Sequence, residues 1–183
     1  MVQGICGLPG SGKTYYLAKI GREAIKKGRE VYANFSLKGA KPYTDLRQLA
    51  DVREGLILVD EINLLCPSRW WDRFPPNLAY FWSQTRKNQL DLWWSSQHID
   101  RVDKIVREIS NWVWEVRKVG FIFLMVCYLP EQLGKAKRTN FGIKVFPLTK
   151  KVYQDYNTYE RIEVPAWVNK SFPLDKPRRY RNY

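Results

Sequence analysis

The chain has 183 residues, 45% hydrophobic and 27% charged, which suits one compact domain with a real core. Lysine and arginine outnumber aspartate and glutamate 31 to 18, a formal net charge of +13, and this favours a polyanionic partner, either nucleic acid or an anionic membrane face. No apolar run reaches the roughly 20 residues needed to span a bilayer, the scattered Cys6, Cys66 and Cys127 read as reduced packing residues in a cytosolic protein, and the single histidine, His98, excludes a histidine-rich metal centre.

Val2 to Cys6 is expected to form a short buried strand, which leaves no room ahead of it for a secretion signal. Gly7-Leu8-Pro9-Gly10-Ser11-Gly12-Lys13-Thr14 follows, with the pattern G-x-x-x-x-G-K-T. Each residue type has a physical task there. The glycines let the backbone turn its N–H groups onto phosphate oxygens, Lys13 reaches the β- and γ-phosphates, and the Thr14 hydroxyl can ligate Mg²⁺. Leu17, Ile20 and Ala24 recur at helical spacing until Gly28, so a helix points its positive end at the same anion, with Tyr15 in its first turn also counted among the nucleotide-binding residues. Strand, loop and helix in this order predict an ATP·Mg²⁺ site.

Val31 to Asn34 is expected as a second strand, Lys38 to Pro42 as a loop, and Tyr43 to Val52 as a short helix capped by Thr44. Gly55 to Val59 is an unbroken apolar run of the kind buried on both faces. It ends in Asp60-Glu61, the Walker B arrangement. Asp60 would hold Mg²⁺ through its water shell, and Glu61 would orient or deprotonate the attacking water.

Cys66 to Pro76 reads as a loop carrying Trp70 and Trp71, which stack on bases or meet a neighbouring subunit. Leu78 to Thr85 reads as a helix and Leu90 to Ser96 as a fourth strand. Gln97, at the carboxyl end of that strand, either senses the γ-phosphate or satisfies helix-capping groups. Arg86 is either a surface charge or an arginine finger acting on a neighbouring subunit's site.

Ile99, Val102, Val106 and Ile109 mark one further helix, and Asn111 to Lys118 alternates as a fifth strand with Trp112, Trp114 and Val116 on one face. Phe121 to Leu129 and Phe141 to Phe146 are expected hairpin arms. Trp93, Trp94, Trp112 and Trp114 read as core. The alternation of strands and helices predicts an α/β fold, a mostly parallel sheet flanked by helices with a β-rich C-terminal extension. The expected division is a P-loop domain over residues 1–165, of which 119–165 is the β-rich part, and a basic tail over 166–183.

The set of phosphate loop, Leu58-Val59-Asp60-Glu61, Cys66-Pro67-Ser68-Arg69, Arg86-Lys87-Asn88 and Ser95-Ser96-Gln97, together with Tyr32-Ala33-Asn34, resembles the N-terminal ATPase domain of the zonular occludens toxin (Zot) family, which includes filamentous-phage assembly proteins. More broadly it is similar to the DNA-pumping FtsK/HerA-type ATPases. The resemblance spans Val2 to Lys118. It implies a RecA-like P-loop NTPase, ring-forming, with Lys13 and Thr14 on nucleotide, Asp60 and Glu61 in Mg²⁺ and water roles, Gln97 as sensor and Arg86 acting in trans. It implies DNA as partner, a capsid or membrane partner, and a place in the host cytoplasm, at the inner membrane face or on the virion. Two other classes compete: a small P-loop kinase, and a nucleic-acid-binding module whose nucleotide site is not hydrolytic.

Overall fold

The computed structural model describes residues 1–66, 84, 85, 87–133, 135, 137–156 and 162. Its centre is a mixed sheet of eight strands: β1 (Val2–Cys6), β2 (Val31–Ala33), β3 (Lys41–Pro42), β4 (Gly55–Val59), β5 (Leu90–Ser96), β6 (Trp112–Val119), β7 (Ile122–Tyr128) and β8 (Gly142–Pro147). They lie in the order β3-β2-β4-β5-β1-β6-β7-β8. Every pairing from β3 to β6 is parallel, and β6-β7-β8 continue antiparallel. The α/β fold with a β-rich extension is therefore the one the residue pattern predicted. The first strand in sequence is central in space, because β5 and β6 enter on either side of it.

Alternation along the parallel strands sends side chains to two cores. Ile57 and Val59 join Leu92, Trp94 and Val113 on one face, whereas Leu56 and Leu58 join Ile5, Trp93 and Trp114 on the other. The second face is covered by α1 (Lys13–Lys26), through Tyr15, Tyr16, Leu17 and Ala18. The first is covered by α2 (Ile62–Leu65) and α3 (Lys104–Ile109), through Ile62, Leu65 and Val106. With both faces sealed, all five residues of β4 are buried. A last turn, α4 (Lys150–Tyr153), packs Val152 against the α1 side. Gly4 has no side chain because the Trp94 indole fills its place; a Cβ there would lie 2.1 Å from the ring. All three cysteines are buried and unpaired, and Trp93, Trp94 and Trp114 are core, while Trp112 is half-buried.

Three local expectations change. The helix over Tyr43 to Val52 shrinks to a 3-10 turn at Leu46–Leu49, and its cap is Asp45, which forms a reciprocal capping box with Gln48, rather than Thr44. The loop Lys38 to Pro42 ends in the two-residue strand β3, a place where proline's missing donor is harmless because the strand is at the sheet edge. The single helix over Ile99 to Ile109 is two pieces. A 3-10 turn covers Ile99–Arg101, Val102 is extended, and Asp103 starts α3 by accepting from Ile105 N–H. Trp70, Trp71, the Leu78 to Thr85 helix (apart from Thr85), Arg86 and the basic tail lie outside the described residues. Among the described residues, no helix is long and apolar enough to cross a membrane.

Candidate active site

The carboxyl ends of β1, β4 and β5 converge, and each delivers one part of a site. Gly7 to Gly12 leave β1 as a loop, closed by the Ser11 N–H donating to Leu8 O (3.1 Å) and by the Gly7 N–H donating to Ser96 O of β5 (3.3 Å). Gly12 sits in the left-handed region at φ 97°, which sets the chain into α1. The first helical bond runs from Tyr16 N–H to Gly12 O, so the N–H groups of Lys13, Thr14 and Tyr15 precede it. The Tyr15 ring turns away into the core, stacked on Phe123 and Phe146, with its hydroxyl donating to Pro147 O; its backbone N–H is what it offers to the loop.

Lys13 is buried, and its ammonium donates to Gly7 O (3.0 Å) and Leu8 O (3.2 Å) across the loop. The same ammonium lies 3.9 Å from Glu61 Oε1. Ser11 Oγ is buried with no hydrogen-bond partner among the described residues. An ammonium whose hydrogen bonds go to backbone carbonyls, an orphaned hydroxyl and a run of N–H groups at a helix start form a donor set that fits a polyphosphate.

Asp60 follows β4 and is buried. The Thr14 hydroxyl donates to its Oδ2 (2.8 Å), and the Ser95 hydroxyl donates to its Oδ1. Asn34, just past β2, clamps the Asp60 backbone from both sides: its amide donates to Asp60 O (2.9 Å) and its Oδ1 accepts the Asp60 N–H (2.7 Å). Burial pushes the Asp60 carboxyl above its ordinary value, against the Ser95 and Thr14 hydrogen bonds and the Lys13 charge, which favour the ionised form. A hydroxyl and a carboxylate side by side are hard oxygen donors, the kind Mg²⁺ takes.

Glu61 is the next residue, in a left-handed conformation (φ 48°, ψ 55°) that few non-glycine residues adopt. Its N–H donates to Ser95 Oγ (3.0 Å), so one serine serves both acids. Its carboxyl is also raised, first by burial and then by the Asp60 charge, while Lys13 and a hydrogen bond from Gln97 pull the other way. Gln97 Oε1 accepts in turn from Arg101 (3.4 Å). Beneath the loop, burial pushes the Cys6 thiol up to about 12, which leaves it an inert packing group.

The structure thus brings Lys13, Thr14, Asp60, Glu61 and Gln97 together around the loop Gly7 to Gly12; Arg86 lies outside the described residues. Sequence reasoning quoted Asn34 and Ser95 in the family resemblance but assigned neither a role. The only signal available was a polar residue at the carboxyl end of each strand, since their partner lies 26 and 35 residues away in sequence.

The family model for zonular occludens toxin (Zot) matches residues 40–161. That match begins after the phosphate loop and extends past Lys118 into the β-rich extension. No curated protein sequence matches the chain. Among solved structures, the N-terminal domain of zonular occludens toxin from Neisseria meningitidis is similar, with a TM-score of 0.62 and 18% identity over 85% of this chain and 98% of that one. The genome packaging NTPase B204 from Sulfolobus turreted icosahedral virus 2, in complex with ATP-gammaS, gives a TM-score of 0.52 and 11% identity over 80% of this chain and 96% of that one. Both likenesses are of fold.

Proposed function

The chain belongs to the zonular occludens toxin family, and on that premise we propose that it is an ATPase that uses ATP and Mg²⁺ to move DNA during assembly of a virus or mobile element, working as a homo-oligomeric ring. The observation that carries this reading is the Lys13–Glu61 approach of 3.9 Å beside the Thr14–Asp60–Ser95 chain. A cation for phosphate, an oxygen pair for a metal and a second carboxylate to act on water stand within one loop's reach. The nucleotide bound by the solved relative B204 supports the same reading.

In this reading the N–H groups of the loop and of Lys13 to Tyr15 bind the phosphates, and Lys13 exchanges its carbonyl partners for phosphate oxygens. Thr14 and Asp60 would hold Mg²⁺, which when bound supplies neutralising charge on those oxygens. Glu61 takes a proton from the attacking water as its oxygen bonds to the γ-phosphorus; the bond to the β–γ bridging oxygen breaks, leaving ADP and phosphate. Gln97 holds the Glu61 carboxylate toward that water. Arg86 of an adjacent subunit completes the charge stabilisation.

Phosphate release from ATP should rise with added DNA and vanish in Lys13→Ala. Native mass should report a nucleotide-dependent ring. DNA-independent hydrolysis by a strict monomer would overturn the motor reading, and phosphoryl transfer to a nucleoside without net hydrolysis would make the chain a kinase.

A further inference from the structure

On the ATP reading of the phosphate loop, Glu61 and Gln97 mark the γ-phosphate end. They follow β4 and β5, and the sheet order β4-β5-β1-β6-β7 puts β6 and β7 across the loop from them. The nucleoside end of the ligand therefore lies on the β6–β7 side. The hairpin of these two strands overhangs that side. Glu115 pairs with Cys6, the last residue of β1, and β6 runs on to Val119, about 13 Å beyond the edge that carries the loop.

The hairpin is fitted to the loop by its α1-side face, where Val116 and Phe123 join the core. A Cβ on Gly7 would lie 2.6 Å from Val116 O, and one on Gly12 would lie 2.2 Å from the Phe123 ring. Lys118 comes two residues after Val116, on the same face. It is exposed and pairs with Phe123, so it stands level with the start of α1. Phe121 lies two residues from Phe123, about 7 Å farther out, in a two-residue turn opened by Gly120 at φ 58°. Its ring is 86% exposed and belongs to neither core. Leu148 N–H donates to Phe121 O (2.9 Å), and Thr149 N–H donates to the Tyr15 hydroxyl (2.9 Å), so the tip is tied to the first turn of α1. The Glu115 carboxylate is on the opposite face, paired with Arg117 and Arg138. A cavity of about 700 Å³ on that other face is lined by Leu8, Pro9, Gln97 and both arginines, which puts it at the γ-phosphate end of the loop.

A triphosphate held by the N–H groups of Lys13 to Tyr15 sends its nucleoside out along the α1-side face, past a lysine and onto a free phenyl ring. We propose that the β6–β7 hairpin clamps the nucleoside, with Phe121 stacked on the base and Lys118 at the α-phosphate. The clamp rests on the ATP reading and adds residues for the half of the ligand that the loop does not hold. Calorimetry on the full chain with Mg²⁺, comparing a non-hydrolysable ATP analogue with inorganic tripolyphosphate, tests it. The analogue should bind more tightly than tripolyphosphate. Phe121→Ala should weaken the analogue by about tenfold, leave tripolyphosphate unchanged and keep the melting temperature, because the ring is exposed; Phe121→Trp should retain the analogue's affinity. Lys118→Ala should weaken both ligands, and if it weakens neither the α-phosphate contact is overturned. Unchanged analogue binding by Phe121→Ala, or equal loss of both ligands, overturns the clamp. So does a Phe121→Ala chain that loses only DNA binding, or selective loss of the analogue in Arg138→Ala instead, which would put the base in the cavity on the other face. Tripolyphosphate binding with no preference for the analogue overturns the clamp alone, whereas an unaltered chain that binds neither ligand overturns the ATP reading with it.

Discussion

Thr14 Oγ1 and Asp60 Oδ2 lie 2.8 Å apart, so one hydrogen bond ties the first turn of α1 to the end of β4. Asp60 accepts a second bond from Ser95, and burial still holds its carboxyl above the ordinary value. The folded chain therefore binds this proton more tightly than the unfolded chain does. The stability contribution is present below the unfolded value and is lost as pH rises through the raised folded value, so the ionised group costs stability at neutral pH. Asp60→Asn should raise the melting temperature at neutral pH by about 2 °C or more, an increment that shrinks in acid, while Mg²⁺-dependent hydrolysis is abolished. Calorimetry and phosphate release on the same sample check both halves.

Glu61 is adjacent, but its role separates cleanly. Glu61→Gln should lower kcat by about 100-fold or more while leaving nucleotide affinity within about threefold of the starting value. Because burial and the Asp60 charge raise its carboxyl, and a base works only when ionised, the acid limb of the kcat profile should lie above the ordinary glutamate range and disappear in the variant. Steady-state rates across pH measure this directly.

Asn34 touches no predicted ligand, yet it holds the Asp60 backbone by two hydrogen bonds. Asn34→Ala leaves a buried N–H and a buried carbonyl unsatisfied and should cost about 1–3 kcal/mol of stability. It should also reduce kcat by about tenfold or more through misplacement of Asp60, with a raised Mg²⁺ requirement. Denaturant midpoints and a Mg²⁺ titration of hydrolysis separate the two effects.

At Gly12 the backbone has φ 97°, and a Cβ would lie 2.2 Å from the Phe123 ring. Gly12→Ala is strained on both counts. It should cost about 1–3 kcal/mol and remove nucleotide binding altogether, since the same turn aims the loop. A fluorescent ATP analogue and thermal melting give the outcome.

The parts of the site legible in the sequence were those written locally. The spacing from Gly7 to Thr14 encodes a loop and a helix start, and Asp60-Glu61 ends a continuous apolar strand. Asn34 and Ser95 were not legible because their meaning depends on strand order: only when β5 lies between β4 and β1 does a serine at its end bridge to Asp60. Local periodicity also overran at Ile99 to Ile109. The apolar spacing fits one helix, but the Asp103 side chain caps a new one and Val102 stays extended and fully buried. At Tyr43 to Val52 the Asp45–Gln48 box won over Thr44 because its two side chains accept from the Thr44, Asp45 and Arg47 N–H groups.

The central position of β1 has a consequence for synthesis. Cys6 pairs with Ser96 on one side and Glu115 on the other, so when β1 leaves the ribosome its nearer partner is still some ninety residues away. At about 5–20 residues per second, β1 and its glycine loop wait on the order of 5–20 s before a neighbour exists. During that time β2 and β4 can already pair and bury their own aliphatic side chains. The nucleotide loop, made before either neighbour of its strand, therefore takes shape late, and a nascent chain stopped before β5 carries the whole G-x-x-x-x-G-K-T motif without the Ser96 carbonyl that holds the loop's first N–H.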